Sequence, residues 1–245
     1  MITKEAVMEK LETGRQPQNK KQAGSRISVT GMVQTAIFGA IIIIMAFTPF
    51  LGYITIGPLR ATIIHVPVII ASLLLGPKKG GALGFLFGLT SFINNTMNPT
   101  LISFVFTPFY SIGEMSGGIG SIIICFVPRI LVGILPFYVY KLAMYLRKMR
   151  GKSGVSNTGL IFAGVTGSLV NTLLVMNLIF VFFREGYAAV NDVAVSGVYT
   201  VILAAIVTNG VPEAIVAGVL TLCIGKALLK KNIRERLGFR NDLGY

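Results

Sequence analysis

Long apolar runs separated by short polar punctuation set the pattern of this chain. A helix needs about 20 mainly apolar residues to cross the ~30 Å of a bilayer's hydrocarbon. Residues 29–51, 120–140 and 158–183 meet that length plainly. A fourth run, residues 198–229, is long enough to span with tilt and carries Glu213 inside it. Residues 61–94 are harder to read, being apolar except for Gly76, Pro77, Lys78, Lys79 and Gly80 in the middle. Pro and Gly break helices and paired lysines seek headgroups, so this stretch predicts two short spans joined by a tight turn. The expected fold is an all-α integral membrane bundle of six transmembrane helices over residues 29–230.

Basic residues orient the bundle, since cytoplasmic loops hold an excess of Lys and Arg. Six precede the first span (Lys4, Lys10, Arg15, Lys20, Lys21, Arg26), and Lys78 and Lys79 occupy the tight turn. Five lie between the fourth and fifth spans (Lys141, Arg147, Lys148, Arg150, Lys152) and six between Lys226 and Arg240. Arg60 and Arg184 fall on the other side, and Arg129 lies within a span. Both termini are therefore expected in the cytoplasm, residues 1–28 and 231–245 as tails. The first of these is too long and polar for a signal peptide; a short amphipathic helix over residues 2–11 is the lesser alternative to a disordered tail.

Composition agrees. With 53% hydrophobic and 13% charged residues and a mean hydropathy of +0.76, the chain has too little polar surface to cover a soluble domain of 245 residues. The net charge of +13 then reads as a topology signal, with no nucleic-acid partner expected. The expected location is the cell membrane, crossed several times.

Motifs for catalysis are wanting. Gly151, Lys152 and Ser153 mimic the end of a phosphate loop, but Leu146 stands where its first Gly is required. The single histidine, His65, has no partners at ligand spacing, and Cys125 and Cys223 sit within spans at no metal or redox spacing. No catalytic residue, metal or cofactor is therefore expected, and an intramembrane enzyme is a weak alternative.

Polar groups inside the spans carry more information. At 1.5 Å rise per residue, His65, Asn94, Asn95, Arg129, Asn177 and Asn209 fall in the outer halves of their helices, with Asn171 near the middle. Polar side chains are costly in hydrocarbon and usually face the bundle interior or a wet cavity, so a pocket open to the exterior is expected. Pro128 can kink the helix and free a carbonyl for Arg129, which either captures an anionic substrate group or pairs structurally with Glu213. The run at residues 208–213 interrupts an apolar helix with groups able to line a cavity, or is merely a kink with a packing Asn. Residues 95–118 contain no Lys or Arg, and Phe104, Phe106, Phe109 and Tyr110 there form either a lid or an interfacial aromatic belt. Gly80, Gly84 and Gly88 let another backbone approach closely, most simply within the bundle, and Ala36 and Ala40 repeat the spacing on the first span.

The ordered set resembles a known family. Six spans with both ends inside, Ala-x-x-x-Ala on the first, Leu-Gly-Pro-Lys-Lys-Gly between the second and third, and Thr-Asn-Gly-Val-Pro-Glu-Ala-Ile on the sixth are similar to the substrate-binding subunits of energy-coupling factor transporters, over roughly residues 29–230. The resemblance implies a vitamin captured at the outer face. It also implies a transmembrane coupling subunit that meets Ala36 and Ala40, and two cytoplasmic ATPases. Spans one to three look most like the pantothenate-specific members, with Arg129 suited to the carboxylate and the Asn residues to hydroxyls and amide. Folate and riboflavin stay open, as does a self-sufficient secondary carrier, although residues 29–118 and 119–230 show no inverted-repeat similarity.

Overall fold

The computed structural model describes residues 29–48, 51–56, 59–113, 115–152 and 154–239. The expected N-terminal tail lies outside them. Helix α1 (Val29–Phe47) leads into an antiparallel hairpin, β1 (Tyr53–Ile56) with β2 (Leu59–Thr62). Helices α2 (His65–Leu75) and α3 (Pro77–Met97) follow. The third loop of the bundle, between α3 and the next helix, holds a 3-10 turn at Ser103–Val105 and the two-residue strands β3 (Ser111–Ile112) and β4 (Met115–Ser116), and leads to α4 (Ile119–Met149) and α5 (Asn157–Val190). The last long helix is composite: α6 (Val198–Ala205), a π-helical turn at Ile206–Gly210, and α7 (Val211–Leu228), after which comes α8 (Lys231–Arg236).

Four of these segments are long and apolar enough to cross a membrane: Val29–Phe47, Ile119–Met149, Asn157–Val190 and Val195–Leu228. The stretch expected to hold two short spans becomes α2 and α3, broken at Gly76 with φ 87° and restarted by Pro77 at the first helical turn. Helix α2 is only 11 residues long, about 16 Å at 1.5 Å per residue, and nine of the 11 are buried. A helix too short to span is tolerated there because protein, not lipid, surrounds it.

Two details extend the expected picture. The fold is mostly helical, with two short antiparallel hairpins in the loops at one end of the bundle. The basic stretch after the fourth span is not a loop throughout; α4 runs on to Met149, with Arg147 and Lys148 in its last turn, where cations meet the negative end of the helix dipole.

The glycine stripe on α3 is spent inside the bundle. A Cβ on Gly80 would strike the Gly133 carbonyl, one on Gly84 the Arg129 carbonyl, and one on Gly88 would sit 3.0 Å from the Cys125 carbonyl. The backbones of α3 and α4 thus touch along one seam, and the Cys125 thiol donates across it to the Gly88 carbonyl at 3.2 Å. One core cluster, including Ile69, Phe87, Tyr140 and Leu160, fills the bundle behind this seam; a second, including Phe104, Ile124, Ile179 and Val198, lies under the third loop.

Helix α1 buries Gly31, Gly39, Ile42 and Ala46 and turns Ala36 and Ala40 outward. Its first turns are held by Lys79, which donates to the Gly31 carbonyl at 3.1 Å, and by Gln34, which donates to the Leu237 carbonyl at 2.7 Å. The start of the expected C-terminal tail is therefore folded against α1, with Phe239 packed on the core.

Candidate substrate-binding site

Helix α4 builds the centre of the site through a proline. Pro128 has no N–H, so the Ile124 carbonyl four residues earlier loses its helical donor. Arg129, 7% exposed, turns back and donates to that carbonyl from Nη1 at 2.7 Å. Its guanidinium carbon lies 5.7 Å from the Phe87 ring centroid and 5.3 Å from that of Phe106, both within cation–π range. The Ile124 carbonyl and aromatic faces from α3 and the third loop are thus among the groups that hold this cation inside the bundle.

The π-helical turn supplies the facing wall. A π turn widens the helix by one residue, and Pro212 just beyond it prevents the normal ladder from closing. Glu213, also 7% exposed, then projects inward. Its Oε1 accepts the Thr62 backbone N–H at 2.7 Å, its Oε2 accepts the Thr172 hydroxyl at 3.3 Å, and Arg129 lies close enough to act on it electrostatically.

Asn171 and Asn209 flank this group. Gly210 packs on Thr172, a Cβ there lying 2.9 Å from the Thr172 methyl, which brings the Asn171–Thr172 step of α5 beside Asn209. Both Asn Oδ1 atoms are buried with no hydrogen-bond partner. A buried amide oxygen left without a donor costs about 1–3 kcal/mol, which a bound ligand or water recovers. His65, 1% exposed at the start of α2, makes no well-formed hydrogen bond through either ring nitrogen, although the Thr62 backbone lies nearby.

The remaining residues singled out from the sequence lie elsewhere. Asn95 bonds the Ser91 carbonyl at 2.8 Å and accepts from Ser103 at 3.0 Å, clamping the third loop to α3. Asn94 accepts from Asn98 at 3.0 Å at the end of the same helix. Asn177 is exposed and bonds its own helix at Leu173. Of the loop aromatics, Phe106 reaches Arg129, Tyr110 is half-buried against the second core cluster, Phe104 lies inside that cluster, and Phe109 is exposed against Phe92. Phe87, Thr172 and the Thr62 N–H join the site without being foreseen. The hydroxyl beside Asn171 was a readable hint of Thr172; a backbone N–H leaves none.

A separate hollow of about 580 Å³ lies at the hairpin end, lined by Phe104, Met115, Ser116 and residues 180–186, where Phe183 departs from helical geometry at φ −135°, ψ 25°. It does not include Arg129.

Taken together, the site offers one buried cation, one buried carboxylate already bonded twice, and amide oxygens awaiting donors. Such a set suits a small anionic molecule with hydroxyl or amide N–H groups.

Known proteins bear on this geometry. Residues 31–225 match the family model described as ECF transporter, substrate-specific component. The chain is 37% identical over 214 residues, covering 86% of it and 97% of the relative, to the pantothenic acid transporter PanT of Lactococcus lactis subsp. cremoris. It is 30% identical over 220 residues, covering 85% of it and 96% of the relative, to the pantothenate transporter PanT of Leuconostoc mesenteroides subsp. mesenteroides. Among solved structures, the S-component for biotin from an ECF-type ABC transporter is 20% identical, with a TM-score of 0.41 over 81% of this chain and 92% of that one. With a family match over most of its length and relatives matched nearly end to end, this multi-pass membrane protein belongs to the substrate-specific components of ECF transporters.

Proposed function

We propose that this chain captures pantothenate at the outer face of the cell membrane and delivers it inward as the substrate-binding subunit of an ATP-driven importer. The single observation that carries the ligand assignment is Arg129, a cation buried at 7% exposure and flanked by Phe87 and Phe106. Pantothenate is a monoanion with one amide and two hydroxyls. Its carboxylate meets Arg129, and its hydroxyls and amide N–H meet the open oxygens of Asn171 and Asn209. Two relatives bear names that include this substrate.

In this reading α2 and α3 complete six membrane segments, both termini lie in the cytoplasm, and a coupling subunit meets α1 at Ala36 and Ala40. Two cytoplasmic ATPases supply the energy. Calorimetry on the purified chain tests the ligand: pantothenate binds tightly, and Arg129→Ala weakens it more than tenfold, ~1.4 kcal/mol or more. Absence of any pantothenate heat in the wild-type protein, with heat from folate or riboflavin, would reassign the substrate.

A further inference from the structure

Glu213 is the carboxylate that the proposed capture of pantothenate leaves unused, and its bonds join parts of the chain far apart in sequence. Thr62 lies 151 residues away and Thr172 lies 41 away. A carboxylate this deep in an apolar bundle is costly to keep, so its two bonds deserve a purpose beyond packing.

The register of the first hairpin explains why Thr62 has an N–H to give. Tyr53 faces Thr62, and the Ile63 N–H donates to the Gly52 carbonyl at 3.0 Å, one residue beyond the pair on each side. That pattern makes Tyr53 and Thr62 a pair without mutual hydrogen bonds, whose N–H groups point away from the partner strand. The Thr62 N–H is thus outside the ladder and reaches Glu213 at 2.7 Å. Strand β2 also lies against the π-helical turn and α7, so the bond sits within a real contact.

Both loops at this end are tied to the bundle by hydrogen bonds. The third loop is stapled to its helices by several side chains: Ser103 to Asn95 at 3.0 Å, Thr96 to Thr107 at 2.8 Å, and Ser121 to the Phe104 carbonyl at 2.6 Å. Phe104 and Val105 anchor it in the core. For the first hairpin, Glu213 ties the end of β2 to the composite helix through the Thr62 N–H. Its carboxylate also lies within electrostatic reach of Arg129.

We propose that Glu213 is a positioning residue that latches the first hairpin to the composite helix beside Arg129, so that making and breaking the bond from Thr62 sets how fast a bound ligand leaves. The assignment rests on the ligand sitting at Arg129, but the latch itself can be read without ligand.

Two measurements on the purified full chain in detergent or nanodisc test it: amide hydrogen exchange at residues 62–66 without ligand, and pantothenate dissociation by stopped flow. Glu213→Ala is expected to speed both at least tenfold. Glu213→Gln, whose amide oxygen still accepts from Thr62 and whose NH₂ can donate to the Thr172 hydroxyl, stays within about threefold of wild type. Thr62→Pro removes the donor without touching the ladder or the buried side chains, and it should reproduce Glu213→Ala even where that variant does not fold. Unchanged exchange at residues 63–66, the amides that Thr62→Pro retains, in Thr62→Pro or Glu213→Ala overturns the latch. So does a Gln variant as fast as Ala, which would assign the effect to charge on Arg129. If the wild-type chain binds no pantothenate, the ligand assignment fails while the exchange arm still decides the latch.

Discussion

At the residue scale, the site turns on the partnership between Pro128 and Arg129. The proline removes a backbone donor, the Ile124 carbonyl is left open, and Arg129 Nη1 closes it at 2.7 Å. That bond aims the guanidinium and leaves the Phe87 and Phe106 rings to flank it. Restoring the donor should therefore compete with Arg129 for the same carbonyl. Pro128→Ala is expected to raise the thermal midpoint of the unliganded protein, because a regular helical bond replaces a kink. It should at the same time weaken pantothenate several-fold, because Arg129 loses its orienting acceptor. Calorimetry beside a melting curve checks both, and a variant with unchanged affinity would show that the Ile124 carbonyl does not position the guanidinium. Part of this arrangement was legible in the sequence: a proline before an intramembrane arginine announces a freed carbonyl and a cation seeking one. The aromatic faces were not, since Phe87 is one of 16 phenylalanines and nothing local marks it.

At the scale of elements, the seam between α3 and α4 fixes where Arg129 stands. Gly84 lies against the Arg129 carbonyl, with Gly80 and Gly88 one turn to either side against Gly133 and Cys125. A methyl at Gly84 would meet backbone, which cannot rotate away, so the helices must part. Gly84→Ala is expected to cost about 1–3 kcal/mol and to reduce ligand affinity, because the displaced segment carries Arg129. Gly81→Ala serves as the comparison, since its Cβ meets only the Ile134 side chain, at 3.2 Å and beyond. Melting curves for the two should differ, Gly84→Ala falling well below Gly81→Ala; equal midpoints would mean that the seam yields without strain. The glycine spacing made this contact readable in advance, as the long apolar runs made four helices readable and the Gly76–Pro77 break made α2 and α3 readable. What escaped was set by tertiary contact: the hairpins and the π-helical turn arise where the chain meets other segments, and the fourth helix runs past its apolar stretch to Met149.

At the scale of the whole molecule, α1 presents a broad exposed apolar face. Its buried side is narrow, with Gly31, Gly39, Ile42 and Ala46, while Met32, Val33, Ile37, Ile41 and Ile44 stand exposed around Ala36 and Ala40. Lipid alone could cover such a surface, but two small residues one turn apart make a flat strip on which another helix can lie closely. Arg129, Asn171 and Glu213 lie on α4, α5 and α7, so a change on the outer strip of α1 leaves the ligand contacts intact. Ala36→Trp fills the strip with a large side chain and should separate the two activities. Pantothenate affinity of the purified subunit stays within about twofold of wild type, while ATP-dependent uptake into proteoliposomes holding the coupling subunit and ATPases drops at least tenfold. Proteoliposomes holding this chain alone should take up no pantothenate under a proton or sodium gradient. Uptake by the lone chain would mean a self-sufficient carrier, and normal uptake by Ala36→Trp with its partners would place their contact on another face of the bundle.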